Sequence, residues 1–179
     1  MRVLLILAAT LAAVCLGACK APPPATKEYA YPAWGFRISF QSPPKVTDAP
    51  AQPDGTPRSF NAEADGGGRD FAINANDAPD NGKTIDALAD SAAELIAKEL
   101  KAETTIKTYA ATTEGVMGRQ FDVTDGGRPV ARVRVFLAGG RFYVLAAKSA
   151  YGLEDPAVDD FLYSFHASSA AATNATQPS

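Results

Sequence analysis

Cysteine and histidine are scarce in this sequence, and their scarcity narrows its possible chemistry. The 179 residues contain two cysteines, Cys15 and Cys19, and one histidine, His166. A His-Glu-x-x-His zinc helix and a Gly-x-Ser-x-Gly nucleophile elbow are also absent. His166 is the only ordinary base, and its expected place at a helix end favours an interaction with the helix dipole over catalysis. The sequence therefore predicts no catalytic residue, no metal site, no cofactor and no enzyme activity.

Basic clusters and long apolar runs are missing as well. The formal net charge is −3 at pH 7, and the lysines and arginines form no stripe that could neutralise phosphates, so nucleic acid is excluded as a partner. The apolar run from Val3 to Val14 is well short of the roughly 20 residues that cross a bilayer. A permanent transmembrane helix is therefore the weaker interpretation of the N-terminus.

The N-terminal segment resembles a bacterial lipoprotein signal. Arg2 supplies a positive flank, the apolar run follows, and Leu16-Gly17-Ala18-Cys19 matches a lipobox. The resemblance implies cleavage between Ala18 and Cys19 and acylation of the Cys19 sulfur, and two or three acyl chains would hold the protein firmly on a membrane. The alternative is an ordinary secreted protein that is cleaved nearby.

The resemblance also implies a location and a segment order. Lys20 occupies the position where an aspartate would favour inner-membrane retention, so we expect an anchor in the inner leaflet of the outer membrane, with the protein facing the periplasm. With Cys15 removed and Cys19 lipidated, no thiol remains for a disulfide or a metal site. The predicted segments are a signal peptide (1–18), a lipidated cysteine with a proline-rich tether (19–30), one domain (31–166) and a disordered tail (167–179).

Periodicity predicts an α+β domain. Strands are expected at 35–40, 58–64, 69–76, 104–112, 116–124, 128–138 and 141–149, while the proline-containing segment 45–57 is expected to be loop. A long helix follows Thr84, its predicted N-cap, and Asp155-Pro156 opens a short final helix. The residues expected on the inner face of the long helix are Ile85, Leu88, Ala92, Leu95, Ile96 and Leu100. This order predicts an αβα sandwich with a mainly antiparallel sheet, covered by one long and one short C-terminal helix.

Several blocks of the sequence resemble PsbP-like and DcrB-like bacterial lipoproteins. The resemblance starts at Trp34-Gly35-Phe36-Arg37-Ile38-Ser39-Phe40 with Pro43, and it covers about 31–165. The later blocks are Gly118-Arg119-Gln120, Arg134-Val135-Phe136, Gly140-Arg141-Phe142-Tyr143-Val144-Leu145 and Phe161-Leu162-Tyr163-Ser164-Phe165. The resemblance implies an αβα sandwich with binding or assembly roles, and it supplies no shared catalytic residue.

Three polar segments have simple structural interpretations. The oxygen-rich stretch 74–82 lacks the EF-hand offsets for calcium, so we expect a strand-to-helix loop. The glycines at 66–68 are followed by Arg69-Asp70 instead of a phosphate-loop lysine, so they predict a hairpin turn. The acidic residues Glu154, Asp155, Asp159 and Asp160 are expected to stabilise the start of the final helix instead of catalysing proton transfer.

Arg132 and Arg134 are the candidate contacts for a partner or ligand. Alternation with Val133 and Val135 places both guanidinium groups on one face of a strand, where they could bind a carboxylate or phosphate. The preferred alternative is that they cover a helix or pair with Asp122 on the neighbouring strand.

Aromatic residues suggest a second possible site. An apolar ligand pocket could be lined by Trp34, Phe36, Phe40, Phe142 and Tyr143. Aromatic residues in strands more often fill the core, so the core interpretation is preferred.

The leading functional hypothesis is a non-enzymatic, lipid-anchored domain that binds a protein partner in the cell envelope or supports envelope assembly. The first alternative is a carrier of a small apolar or lipid ligand, and the third is an uncharacterised hydrolase. A partner-binding domain should expose an apolar or charged patch, whereas a carrier should enclose a sizeable apolar cavity. An enzyme should gather polar groups with shifted pKa values in a cleft.

Overall fold

In a computed structural model, the protein is described over residues 25–78, 84–102 and 109–167. Within those residues, neither helix has the length and apolarity that a bilayer crossing requires. The predicted signal peptide, Cys19, most of the tether and the tail from 168 onward lie outside the described residues. The elements are β1 (Lys27–Tyr31), β2 (Phe36–Phe40), β3 (Lys45–Ala49), β4 (Ser59–Gly66), β5 (Arg69–Asp77), α1 (Ile85–Leu100), β6 (Tyr109–Thr113), β7 (Val116–Asp125), β8 (Arg128–Ala138), β9 (Arg141–Ser149), α2 (Pro156–Tyr163) and β10 (His166–Ala167).

A seven-stranded antiparallel sheet forms the centre of the fold. Its strand order is β3-β4-β5-β9-β8-β7-β6. The predicted hairpin at 66–68 is confirmed, since Gly67 and Gly68 both adopt positive φ in the turn between β4 and β5. Strand β6 begins at Tyr109, and positions 104–108 of the predicted strand lie outside the described residues.

Each face of this sheet packs against a different layer. Because side chains alternate along a strand, Ala131, Val133 and Val135 of β8 point to the α1 side, where they pack with Phe121 and Val123. Phe136 points to the opposite side. That second side carries α2 and a small sheet of order β1-β2-β10. The described residues therefore form three layers, with antiparallel sheets and two helices.

Helix α1 begins where predicted and confirms part of the predicted inner face, since Ala92 is buried and Ile85, Ile96 and Leu100 pack partly buried against the core. The Thr84 side chain accepts a hydrogen bond from the Ala87 backbone N–H, as expected for an N-cap. The buried positions of the helix are alanines, namely Ala89, Ala92, Ala93 and Ala97. Leu95, expected inside, is 59% exposed, and Leu88 is only half-buried. The large side chains on the sheet leave room only for methyl groups, so the alanine side of the helix faces the sheet.

The small sheet corrects three predictions about the ends of the domain. Strand β1 pairs with β2 from Lys27 onward, so the predicted tether 19–30 includes the first residues of a strand. His166 lies on β10, where it pairs with Arg37 of β2, and not at a helix end. Ala167, assigned to the tail, is buried in the same strand. Pairing with β2 determines the structure at both ends, and neither short strand has a strong pattern of its own.

Strand β3 corrects the loop predicted over 45–57. Lys45–Ala49 pairs antiparallel with β4 along its full length. The strand lies at the sheet edge and is largely exposed, so it lacks the apolar alternation that marks a half-buried strand.

Helix α2 begins as predicted. Asp155 is its N-cap and accepts a hydrogen bond from the Ala157 backbone N–H, while Pro156 occupies the first turn. Val158, Phe161 and Leu162 of this helix, and Phe165 just after it, are all buried. The Phe161 ring stacks on Phe71 at 4.8 Å between centroids, which fixes the helix against the large sheet.

Gly118 permits the closest side-chain approach within the large sheet. It pairs with Phe136 across β7 and β8. A Cβ atom at position 118 would lie 2.3 Å from the Val135 carbonyl oxygen and 2.4 Å from Cδ1 of Phe136. The aromatic ring therefore occupies the space that any side chain at 118 would need.

We expect Gly118→Ala to lower the free energy of unfolding by about 1–3 kcal/mol, because the added methyl group must displace backbone or a packed ring. Chemical denaturation of the variant measures this. Thr112→Ala, at an exposed position on the neighbouring strand β6, is the control and should change stability by less than about 0.5 kcal/mol. Equal stabilities of the two variants would contradict the packing described.

Candidate functional site

Arg132 lies on the face of β8 predicted from the sequence, and its partners are internal. Its Nε and Nη2 donate to the two carboxylate oxygens of Asp122 at 2.9 and 3.2 Å. Its Nη1 donates to Asp159 Oδ1 of α2 at 3.2 Å. The hydrogen bonds to Asp122 raise the pKa of Arg132. The pairing with Asp122, preferred from the sequence, is therefore present.

Arg134 is 4% exposed and joins the sheet to the end of α2. Its Nε donates to Gln120 Oε1 at 2.7 Å, and its Nη1 donates to the Leu162 carbonyl oxygen at 3.2 Å. The guanidinium lies 3.8 Å from the centroid of the Tyr163 ring. Both arginines thus have structural partners, and ligand contact by them stays a prediction.

Asp155 is the most strongly perturbed carboxyl group among the described residues. Arg69 Nε donates to its Oδ2 at 2.7 Å, Ser149 Oγ donates to the same oxygen at 2.7 Å, and the Ala157 N–H donates to Oδ1. These bonds, with Arg69 first, lower the pKa of Asp155 to about 2 despite its burial. The predicted capping role is present, together with an ion pair to β5 that the sequence did not indicate.

His166 contacts carboxylate and arginine side chains. Its Nδ1 lies 3.0 Å from Oε1 of Glu114, in ion-pair range but outside hydrogen-bond geometry. Arg37 donates to the same Glu114 oxygen and to Glu28, each at 3.4 Å. Within the described residues, His166 has no side-chain hydroxyl as a partner, and the group connects the small sheet to the turn between β6 and β7.

The residues predicted as a strand-to-helix loop begin on a strand. Asn74 to Asp77 belong to β5, and positions 79–83 lie outside the described residues. Within the described part of the chain, no three histidine, cysteine, aspartate or glutamate side chains are grouped in a way that could hold a metal ion.

Among the described residues, a mismatch of widths leaves part of the large sheet uncovered beside α1. Seven strands spaced about 4.8 Å apart extend over about 29 Å, whereas one helix with its side chains is about 10–12 Å wide. Helix α1 contacts β7 and β8. The same face of β3, β4 and β5 is therefore left to polar residues or to another covering element.

This uncovered region contains a groove between α1 and the sheet. One part has a volume of about 530 Å³, and an adjoining part has a volume of about 470 Å³. The two parts share Glu63, Ala72, Ile96, Glu99 and Ala146. They form a single surface, which we call the α1 groove.

The floor of the α1 groove is apolar on one strand and polar on the next. Phe142, Val144 and Ala146 of β9 are half-buried there. Across β5 and β4, the floor continues with the amides of Asn74, Asn76 and Asn61. The Asn76 amide donates to the Asn74 side-chain oxygen, and Asn61 Nδ2 donates to Glu63 Oε1 at 2.5 Å. The floor thus offers an apolar strip with a row of amides beside it.

The helix wall of the groove is formed by residues that the inward alanine face leaves outside. Leu88 and Leu95 lie two turns apart, with Ser91 and Ala92 between them. The small residues between the leucines leave a depression in the wall.

The smaller part of the groove, with a volume of about 470 Å³, has an acidic rim. Its charged lining residues are four carboxylates, Glu63, Asp65, Asp70 and Glu99, and two lysines, Lys45 and Lys148. Lys148 is already paired with Asp70 at 3.1 Å. Glu63 and Glu99 form no ion pair with another described residue.

The aromatic residues considered as a pocket divide between core and groove. Trp34, Phe36, Phe40 and Tyr143 are at most 3% exposed, and Tyr143 donates its hydroxyl hydrogen to the Trp34 carbonyl oxygen at 2.8 Å. The core interpretation is confirmed for these four. Phe142 points to the other face and belongs to the groove floor.

The fold is similar to that of a solved protein structure. The solution structure of cyanobacterial PsbP (CyanoP) from Synechocystis sp. PCC 6803 matches with a TM-score of 0.55 and 17% sequence identity, over 85% of this chain and 98% of that chain. No family model and no curated protein matches the sequence. The protein therefore has a PsbP-like α+β fold, and at this identity the similarity concerns the fold alone.

Sequence reasoning missed the α1 groove as a site. Its one visible signal is the spacing of Asn74 and Asn76, two residues apart on a strand, so that both amides lie on one face. The alanine side of α1 faces the sheet, which leaves Leu95 exposed. The apolar stripe of this helix is too wide for the sequence to predict that rotation.

The Arg69–Asp155 pair generates a pH-dependent prediction. Because the pKa of Asp155 is lowered from 3.8 to about 2, its contribution to stability is complete above about pH 4 and is lost as the pH falls towards 2. The shift corresponds to about 2 kcal/mol. In Asp155→Asn, unfolding free energies measured by denaturation should be lower at pH 7 and should depend less on pH between 4 and 2.

Asp160→Asn is the matched control, since Asp160 is exposed on the same helix. It should leave both the stability and its pH dependence nearly unchanged. Identical pH profiles for Asp155→Asn and the unsubstituted protein would refute the assigned role of the pair.

Proposed function

We propose that this protein is a lipid-anchored, non-enzymatic domain that faces the periplasm and binds a protein partner in the cell envelope. The anchor and location rest on Arg2, the apolar run and the lipobox that ends at Cys19. An anchor holds the domain close to other envelope proteins and so raises their effective concentration, which favours weak but specific recognition.

The α1 groove is the observation that carries partner binding. It combines half-buried apolar side chains with asparagine amides and carboxylates, a mixture typical of protein interfaces. The groove is open along the helix, so its occupant would remain partly exposed, as a segment of a larger molecule does.

Other polar clusters favour structural roles over catalysis. Arg132, Arg134 and Asp155 each bond to groups on a neighbouring element, and Asp155 serves as an N-cap. Groups that are already satisfied in this way hold layers together and are poorly placed to exchange protons with a substrate.

A carrier of a small apolar or lipid ligand is the second candidate. The larger part of the α1 groove has a volume of about 530 Å³, which is within the range of small-ligand sites. Carriers, however, bury most of their ligand, and the amide row on the floor offers nothing to an acyl chain.

Mass spectrometry of protein extracted from membranes tests the anchor. We expect the N-terminal peptide to begin at Cys19 and to carry a diacylglyceryl group, whereas Cys19→Ala should appear in the water-soluble fraction. Lys20→Ala is the control and should retain the lipid. A peptide that begins elsewhere without lipid would refute the anchor.

Chemical crosslinking in cells tests partner binding by comparing the unsubstituted protein with Cys19→Ala. The anchored form should yield one reproducible envelope protein, and Cys19→Ala should yield less of it because tethering raises the effective concentration. Recovery of a bound lipid without any protein would favour the carrier.

A further inference from the structure

We infer that the α1 groove binds a helix of the partner protein, with an apolar stripe flanked by lysine or arginine. The inference rests on the proposed partner binding and adds the site and the chemistry of its occupant.

The backbone at the groove excludes an added strand. Strands β5 and β9 are hydrogen-bonded on both sides within the large sheet. An extended peptide on this floor would therefore find no backbone partners, and its own N–H and C=O groups would be left over an apolar surface. A helix satisfies its backbone internally and presents only side chains.

The shape of the groove also fits a helix beside α1. A second helix could contact Leu88 and Leu95 on the wall, approach closely at Ser91 and Ala92, and cover Val144 of the floor. In that position it would widen the covered part of the sheet by about 10 Å, which corresponds to about two strands. It would remove from water the apolar strip that α1 leaves half-buried.

The rim determines the charge of the helix. Glu63 of β4, beside Lys45 of β3, and Glu99 of α1 lie on opposite sides of the groove without ion-pair partners among the described residues. Basic side chains on the flanks of the incoming helix would therefore find a carboxylate on each side. The amides of Asn61 and Asn74 can hydrogen-bond polar residues next to the apolar stripe.

The same charges argue against a second copy of this chain as the occupant. The exposed side of α1 is net acidic, since it carries Asp86, Asp90 and Glu94 against the single lysine Lys98. If another copy inserted its α1, these carboxylates would approach an already acidic rim, and like charges at an interface disfavour association.

The test is photocrosslinking in cells from a benzoylphenylalanine placed at either of two positions in the full-length chain. Position 95 lies on the groove wall, and position 163 lies on α2, across the large sheet and over Arg134. Both native side chains are exposed, at 59% and 65%. We expect position 95 to crosslink a protein whose attached segment is helical, with an apolar stripe and flanking lysines or arginines.

Charge reversal supplies the matched pair of variants. Glu99→Lys on the rim should lower the crosslink yield at position 95 by about fivefold, because rim charges act mainly on association. Glu94→Lys makes the same change on α1 away from the groove and should leave the yield unchanged. Thermal unfolding of both variants checks that the fold is retained.

The outcomes separate the inference from the proposed function. Protein crosslinks at position 163 alone would overturn the groove as the site while supporting partner binding. A second copy, a lipid or an acidic segment at position 95, or equal yields in the two charge variants, would overturn the basic-helix inference. Absence of any protein crosslink at both positions would overturn partner binding itself.

Discussion

One helix covers one face of a seven-stranded sheet, and this constraint shapes much of the protein. Since α1 is narrower than the sheet, it lies on β7 and β8, where valine and phenylalanine side chains meet its alanines. Beyond β9 the same face becomes polar, with asparagines that tolerate water. Strand β9 lies at the border between the part of this face that α1 covers and the polar part, so its Phe142 and Val144 are only half-buried. The opposite face is covered more completely, because α2 and the small sheet share it.

The charged residues divide into those that join layers and those that remain available. Arg69 joins β5 to the start of α2, Arg134 joins β8 to its end, and Arg37 connects the small sheet to the turn at Glu114. Breaking such a pair is most destabilising where it is buried, as at Asp155, because the remaining charge loses its partner. Asp70 of the α1 groove pairs with Lys148, whereas Glu63 and Glu99 have no ion-pair partner among the described residues. This division is consistent with recognition by a surface and gives no support to chemistry in a cleft.

Local pattern predicted the inner strands because their two faces differ in burial. The alternation in β5, β8 and β9 is strong enough to give both position and pairing, including the contact of Arg132 with Asp122. Strand β3 escaped prediction because its exposed side chains carry no such alternation, and pairing to β4 is what orders it. The rotation of α1 about its axis was not predicted for another reason. Leu88 and Leu95 extend the apolar stripe to one side, and only the lateral position of the helix on the sheet decides which part of the stripe faces the sheet. The groove depends on that position, so it could not be predicted either.

Strands β1 and β10 flank β2 in the small sheet, so the first and last described strands belong to the layer opposite α1. A chain that leaves the domain before Lys27 therefore departs from the far side of the large sheet. If that chain ends in a lipid, the membrane and α1 lie at opposite poles of the molecule. The domain would then be oriented by its point of attachment, with the small sheet towards the bilayer and the helix directed into the periplasmic space.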